Sequence, residues 1–129
     1  MIGYKLVAWE PDRAMIVYDV AKGHLNRTNR LHGGIIASLC DTAGGYCGVY
    51  CDTPGETLAP VTLSLTVNLC CVRLGRACHG RRPRASRRQD HLFSDVEVCD
   101  EDGSLVTTTT GTFRYVSATP AALARSADR

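Results

Sequence analysis

Apolar and polar positions alternate along several stretches of the chain, which is the pattern of strands with one buried face. The stretches rich in strand formers are residues 4–10, 14–20, 61–69, 92–99 and 105–116. The first two flank a turn at Pro11-Asp12-Arg13 and the last two flank the polar loop 100–104, so each pair predicts a hairpin.

One segment, residues 34–50, instead carries apolar side chains at helical spacing. This stripe consists of Ile36, Leu39, Cys40, Ala43, Cys47 and Tyr50. The positions around Asp41 on the other face are all small: Ala37, Ser38, Gly44, Gly45 and Gly48. Each glycine inside a helix costs roughly 1 kcal/mol relative to alanine, so three on one face predict the close approach of a sheet, a partner subunit or a ligand. We therefore expect a helix covered on both sides.

The segment 71–89 shows neither the alternation of a strand nor the helical spacing of apolar residues, although a sheet of this plan requires another alternating strand there. Seven of the thirteen arginines of the chain lie in it, and it contains no acidic residue. One interpretation is a solvated basic loop. The other is a shifted reading frame in the parent nucleotide sequence, which translation of that DNA in the other frames would test.

The bulk properties favour one domain in a soluble, cytoplasmic protein. A length of 129 residues suits a single core, and neither an export signal nor a run of about 20 apolar residues is present. Seven cysteines without paired CxxC spacing favour reduced thiols over disulfides or a zinc site. The net charge of +2 depends on the segment 71–89 alone. Without interleaved aromatic residues, that segment does not favour nucleic-acid binding.

The start of the predicted helix suggests a site for chemistry. His32-Gly33-Gly34 opens the helix, and Asp41 lies on its third turn. The first amides of a helix lack partners and face the positive end of its dipole, which suits a carbonyl oxygen that gains negative charge. Asp41 is then placed to attack such a carbonyl or to activate water. The simpler alternative is that Asp41 is an acidic residue on the exposed surface of the helix. However, no basic residue lies beside it on the same helical face to form an ion pair.

These features resemble the hotdog-fold thioesterases of the phenylacetic-acid-degradation (PaaI-like) type. The resemblance rests on Asn26, Leu31-His32-Gly33-Gly34, Asp41, Val61-Thr62, and Asp102-Gly103 with Gly111-Thr112-Phe113. It implies an α+β hotdog fold, in which a curved antiparallel sheet wraps a long central helix. The domain would span residues 1–116, and residues 117–129 would form a disordered tail. The resemblance also implies a homodimer or homotetramer with the active site at the subunit interface.

The resemblance assigns roles to individual residues. Asp41 matches the catalytic acid, either as nucleophile or as general base, and Gly33 matches the residue whose backbone N–H polarises the thioester carbonyl. Asn26 matches a polar residue that orients the attacking group, and Thr62 lies where a hydroxyl often serves the same end. His32 and Gly34 would contact substrate, with His32 shaping the turn.

Simpler alternatives remain for several of these residues. Asn26 suits an Asx turn equally well, and Thr62 suits an ordinary strand position. Asn29 replaces the usual glycine, but asparagine tolerates the left-handed backbone expected there. Cys40 is a competing nucleophile, yet it lies on the core stripe, about 100° around the helix from Asp41.

The expected function is hydrolysis of acyl-CoA thioesters without a metal or organic cofactor. The alternative is a hotdog module that binds acyl-CoA without cleaving it. Neither nucleic acid nor a membrane is expected as a partner. The sequence does not identify the acyl chain.

Overall fold

The computed structural model describes residues 2–51, 58–70, 77–88 and 90–117, with 77–88 described by their backbone. One α-helix packs against a six-stranded antiparallel sheet of order β1-β2-β4-β5-β6-β3. The strands are β1 (Lys5–Glu10), β2 (Arg13–Asp19), β3 (Leu58–Leu69), β4 (Ala77–Arg88), β5 (His91–Cys99) and β6 (Leu105–Ser117), and the helix is α1 (Gly33–Gly48). The predicted tail 117–129 lies outside the described residues, except for residue 117.

Both predicted hairpins are confirmed. β1 pairs with β2 across Pro11 and Asp12, and Asp12 adopts a left-handed φ of 56°. β5 pairs with β6 across a turn in which Gly103 has a φ of 81°. In that turn Asp100 Oδ1 accepts hydrogen bonds from the amides of Asp102 and Ser104, at 3.1 and 2.8 Å.

Helix α1 forms where the periodicity predicts it, although it begins one residue earlier and ends two residues earlier. Its apolar stripe from Ile36 to Cys47 is buried and meets inward-facing residues of the sheet, whereas Tyr50 lies beyond the end of the helix and is half-buried. The core consists of Ile16, Tyr18, Leu31, Ile36, Leu39, Cys40, Ala43, Val96, Val98 and Val106. No residue of the helix after Ile35 is exposed, so the prediction of a helix covered on both sides is confirmed. This described helix is too short and too polar to cross a membrane.

The loop interpretation of segment 71–89 is wrong for residues 77–88, whose backbone forms strand β4. This strand pairs with β2 on one side and with β5 on the other. A central strand is specified chiefly by its neighbours, because both flanking strands present backbone hydrogen-bonding groups that must be satisfied. A shifted reading frame remains a prediction for the parent DNA.

Strand β3 is an edge of the sheet and contains a β-bulge. Thr62 is the register partner of Phe113, and Ser64 is the partner of Thr112, so Leu63 is the extra residue. The predicted strand is confirmed, but its simple alternation is interrupted at this point. The apolar side chains Val61 and Leu63 are 48% and 54% exposed, although alternation predicts one buried face.

Candidate active site

The loop before α1 fixes the position of the helix start. Its base is closed by the amide of His32, which donates to the carbonyl of His24 at 2.9 Å. At its tip the side-chain oxygen of Asn26 accepts from the amides of Thr28 and Arg30, at 2.9 and 3.1 Å. The structure thus places Asn26 in an Asx-type turn. Asn29 has the left-handed φ of 59° that was predicted for it.

His32 is the N-cap residue of α1. Its Nδ1 accepts a hydrogen bond from the amide of Gly34 at 3.0 Å, so the proton of the neutral ring lies on Nε2. A Cβ on residue 34 would lie 3.2 Å from the same Nδ1, so glycine there leaves room for this cap. The expectation that His32 shapes the turn is confirmed. Its contact with substrate, and that of Gly34, stay predictions.

The amide of Gly33 differs from those that follow it. The amides of Ile35 and Ile36 donate to the carbonyl of His32, at 2.9 and 3.3 Å, and the amide of Gly34 donates to its ring. Within the described parts of the chain, the amide of Gly33 has no acceptor. It is a donor at the positive end of the helix dipole, where an oxyanion is stabilised.

Asp41 and Thr62 are in direct contact. The hydroxyl of Thr62 donates to Asp41 Oδ1 at 2.7 Å, although the two residues lie on different elements. The bulge at Leu63 is the next residue of β3, and bulges commonly redirect a side chain near a functional site. The Thr62 hydroxyl thus holds one of the two carboxylate oxygens of Asp41.

Asp41 and Thr62 line a cavity of about 380 Å³ between α1 and the sheet. Most of the remaining wall is apolar. The other lining residues are Thr42, Gly45, Tyr46, Val49, Leu58, Ala59, Pro60 and Phe113. A carboxylate at the wall of a largely apolar cavity is the usual composition of a small-molecule site.

The small face of the helix is occupied by the sheet. An ideal Cβ on Gly44 would lie 2.7 Å from the Ser94 hydroxyl oxygen, and one on Gly48 would lie 2.1 Å from Leu92 Cδ2. The glycines therefore permit the close approach that the sequence predicts. Phe113, which was noted only as part of a motif, is an aromatic wall of the cavity.

Sequence reasoning missed a second pair of residues, Tyr18 and His24. Tyr18 is 1% exposed, its ring stacks on that of His24 with centroids 5.8 Å apart, and its hydroxyl contacts His24 Nδ1. The amide of Ala21 donates to the same hydroxyl at 3.3 Å. The carbonyl of His24 accepts a hydrogen bond from the amide of His32, so the Tyr18–His24 pair links the core to the helix start. In the sequence, the signal for this pair is a tyrosine on a strand that is followed by a histidine in the next loop.

The structure argues against Cys40 as a nucleophile. Its side chain is buried in the core, and this burial raises the pKa of the thiol, which Asp41 raises further while Thr109 acts in the opposite sense. A thiol with a raised pKa is a poor source of the thiolate that attacks carbonyls. Asp41 is the better candidate on the same helix.

Solved structures of several bacterial proteins are similar to this chain. The Escherichia coli PaaI protein from the phenylacetic acid degradation operon is 20% identical, with a TM-score of 0.78 over 92% of this chain and 83% of its own. The TT0310 protein of Thermus thermophilus is 28% identical, with a TM-score of 0.72 over 88% and 92%.

A hypothetical thioesterase from Streptococcus pneumoniae, solved with coenzyme A, is 19% identical, with a TM-score of 0.75 over 91% and 88%. Neither a protein-family model nor a curated protein sequence matches the chain. The single helix against an antiparallel sheet is common to the chain and these neighbours. The chain therefore has the hotdog fold of PaaI and related thioesterases.

Proposed function

We propose that the protein hydrolyses acyl-CoA thioesters, with Asp41 as the catalytic acid. The proposal rests on the Asp41 carboxylate. It accepts a hydrogen bond from Thr62 at 2.7 Å and lies in the wall of a largely apolar cavity. Such a cavity suits an acyl group, and the free carboxylate oxygen is the reactive atom. The thioesterases among the structural neighbours, one of them solved with coenzyme A, support the substrate class.

Two routes are open to this carboxylate. As a nucleophile it attacks the carbonyl carbon, releases the CoA thiolate and leaves a mixed anhydride, which water then hydrolyses. As a general base it takes a proton from water, which attacks the same carbon directly, and the CoA thiolate leaves when the tetrahedral intermediate collapses to the free acid. In both routes the carbonyl oxygen gains negative charge and requires a hydrogen-bond donor. Neither route uses a metal or an organic cofactor.

The amide of Gly33 is the proposed donor, and its distance from Asp41 supports a site shared between two subunits. Gly33 and Asp41 are eight residues apart in one helix, which separates them by about 12 Å along its axis. One carbonyl cannot contact both groups at that separation. We therefore propose that Asp41 of one subunit acts with Gly33 of another, at a subunit interface.

Strand β3 is the proposed contact between subunits. It is an edge strand with unpaired backbone groups along one side, and several of its apolar side chains are exposed. The exposed apolar side chains of this strand are Leu58, Val61, Leu63 and Leu69. Pairing of two copies along β3 would bury these side chains beside Thr62. The assembly is a homodimer, or a homotetramer if two dimers associate.

A screen of CoA esters tests the activity. Release of free thiol is followed for the wild type and for Asp41→Asn, which keeps the shape of the side chain but removes its charge. We expect turnover by the wild type and a loss of about 10²- to 10⁴-fold in Asp41→Asn with unchanged thermal unfolding. A wild type that binds the esters without releasing thiol would support the alternative, an acyl-CoA-binding module. Full activity of Asp41→Asn would refute the assigned role.

Mixing two inactive variants tests the shared site. Asp41→Asn subunits retain Gly33, and Gly33→Pro subunits retain Asp41 but lack the amide donor. In a mixed dimer one of the two interface sites combines both intact residues, so random mixing restores about one quarter of the wild-type sites. If both residues of a site came from one subunit, mixing would restore nothing.

A further inference from the structure

We infer that Phe113 and Gly45 determine the size of the acyl group that the protein accepts, an inference that rests on the proposed function. Both residues line the cavity that contains Asp41. An acyl group whose carbonyl lies at Asp41 extends into this cavity and meets them there. They set the space that is available to the acyl group beyond its carbonyl.

The ring of Phe113 is held in place by two glycines. An ideal Cβ on Gly44 would lie 3.0 Å from Phe113 Cζ, and one on Gly111 would lie 2.6 Å from Phe113 Cε2. This edge of the ring thus fills the space that the two missing side chains leave. Phe113 is 1% exposed, so its ring is packed by neighbouring residues.

Gly45 lies beside the other edge of the same ring. An ideal Cβ there would lie 3.8 Å from Phe113 Cε1, an ordinary contact, and 3.3 Å from Pro60 Cγ, which is tight but tolerable after a small shift. The sheet therefore leaves room for a methyl group at residue 45, unlike residues 44 and 48. Since alanine also suits a helix interior better than glycine, the fold does not require glycine here. Gly45 lines the cavity, so a methyl group there would occupy part of its wall between Pro60 and Phe113.

The volume indicates the class of acyl group. A cavity of about 380 Å³ lies near the lower limit of small-molecule sites, which range over about 300–1,000 Å³. The lining of the cavity is largely apolar, and the ring of Phe113 forms part of it. We therefore expect a compact apolar acyl group rather than a long chain.

Two substitutions with opposite effects on the cavity test the inference. Gly45→Ala adds a methyl group to the wall, and Phe113→Leu removes the ring. The kcat/KM values are measured for butanoyl-, hexanoyl-, octanoyl-, decanoyl- and dodecanoyl-CoA. We expect Gly45→Ala to shift the ratio of long to short esters about 10- to 100-fold toward short ones, and Phe113→Leu to shift it toward long ones.

Leu92→Val provides the matched control for lost core packing. Leu92 is the register partner of Phe113, is equally buried and packs on Gly48, but does not line the cavity. We expect this variant to keep the wild-type chain-length profile even if its melting temperature falls. Equal profiles for the wild type, Gly45→Ala and Phe113→Leu would overturn the inference, as would the same shift in Leu92→Val.

A binding measurement separates this inference from the proposed function. Dissociation constants of the same five esters are determined by calorimetry with Asp41→Asn, alone and combined with each cavity substitution. We expect the same opposite shifts in chain-length preference without turnover. A wild type that hydrolyses none of the esters would refute the proposed function alone, whereas unchanged binding preferences would refute the inference about Phe113 and Gly45.

Discussion

The two candidate functional regions of α1, its start and its third turn, are held in different ways. The helix start is fixed by local hydrogen bonds, because His32 caps the helix and its amide returns to His24 within the same loop. The third turn is fixed by distant elements, since Asp41 contacts Thr62 on β3 and the adjacent glycines contact β5 and β6. Local contacts can be predicted from a short sequence motif, whereas contacts between segments that are distant in sequence depend on the register of the sheet.

Removal of one amide from the helix start, without disturbance of its local structure, should cause the largest loss of activity. Gly33→Pro deletes the N–H, and proline is favoured at the first helical position. The backbone of His32 already has φ −65° and ψ 132°, which suits a residue before proline. Loss of one oxyanion donor costs about 10²- to 10³-fold in kcat, so we expect a decrease of that size.

Gly33→Ala is the control for this variant. It retains the amide and introduces the same Cβ, 3.2 Å from the flexible end of Leu69. Thiol-release assays of both variants, with circular dichroism to check the helix, are expected to show the large loss only in the proline variant. Similar losses in both would assign the effect to the contact with Leu69.

A smaller effect is expected at the distant contact of the third turn. Thr62→Val removes the hydroxyl that holds Asp41 but keeps the shape of the side chain, so we expect kcat to fall about tenfold through lost orientation. Thr62→Ser retains the hydroxyl and should retain most of the activity. Steady-state kinetics that show Thr62→Val at the wild-type level would reduce the contact to strand packing.

The two regions also mark how far the sequence can predict this protein. The helix, both hairpins, the turn at His32 and the left-handed Asn29 depend on residues close in the chain, and the structure contains all of them. The contact between Asp41 and Thr62 joins distant elements beside a bulge at Leu63, and alternation predicts neither the contact nor the bulge. Thr62 therefore was identified only through the resemblance to PaaI-like proteins.

Strand β4 shows the same limit more strongly. Residues 77–88 lack strand periodicity, yet their backbone completes the sheet between β2 and β5. The position of this strand follows from its neighbours rather than from its own pattern. If another frame of the parent DNA encodes alternating apolar and polar residues there, the mismatch lies in the reading frame. If no frame does, that explanation fails.

At the helix start, loss of the cap should have a modest effect. His32→Ala removes the acceptor for the Gly34 amide, which costs about 0.5–2 kcal/mol of stability for a typical N-cap. Because fraying of the first turn also displaces Gly33, we expect kcat to fall several-fold. His32→Asn supplies another good N-cap acceptor and should restore both stability and kcat. Urea unfolding and thiol-release kinetics on the three proteins provide the comparison. A His32→Asn variant as slow as His32→Ala would instead indicate that the imidazole itself contacts the substrate.

The mildest change concerns Tyr18 and His24, and it tests whether their contact with the core helps to fix the position of the helix start. Tyr18→Phe removes only the hydroxyl that contacts His24 and accepts from Ala21. Tyr115→Phe removes a matched hydroxyl at the other end of the helix, where it donates to the Gly48 carbonyl at 2.7 Å. Each loss costs about 1 kcal/mol of stability.

Hydrogen exchange distinguishes the two variants because it reports on individual amides. If the contact between Tyr18 and His24 holds the helix start in place, the His32 amide exchanges faster in Tyr18→Phe and remains protected in Tyr115→Phe. Equal protection of that amide in both variants would make the helix start independent of the core. Its local hydrogen bonds would then be sufficient to hold Gly33 in place, and the contrast between the two regions of α1 would be complete.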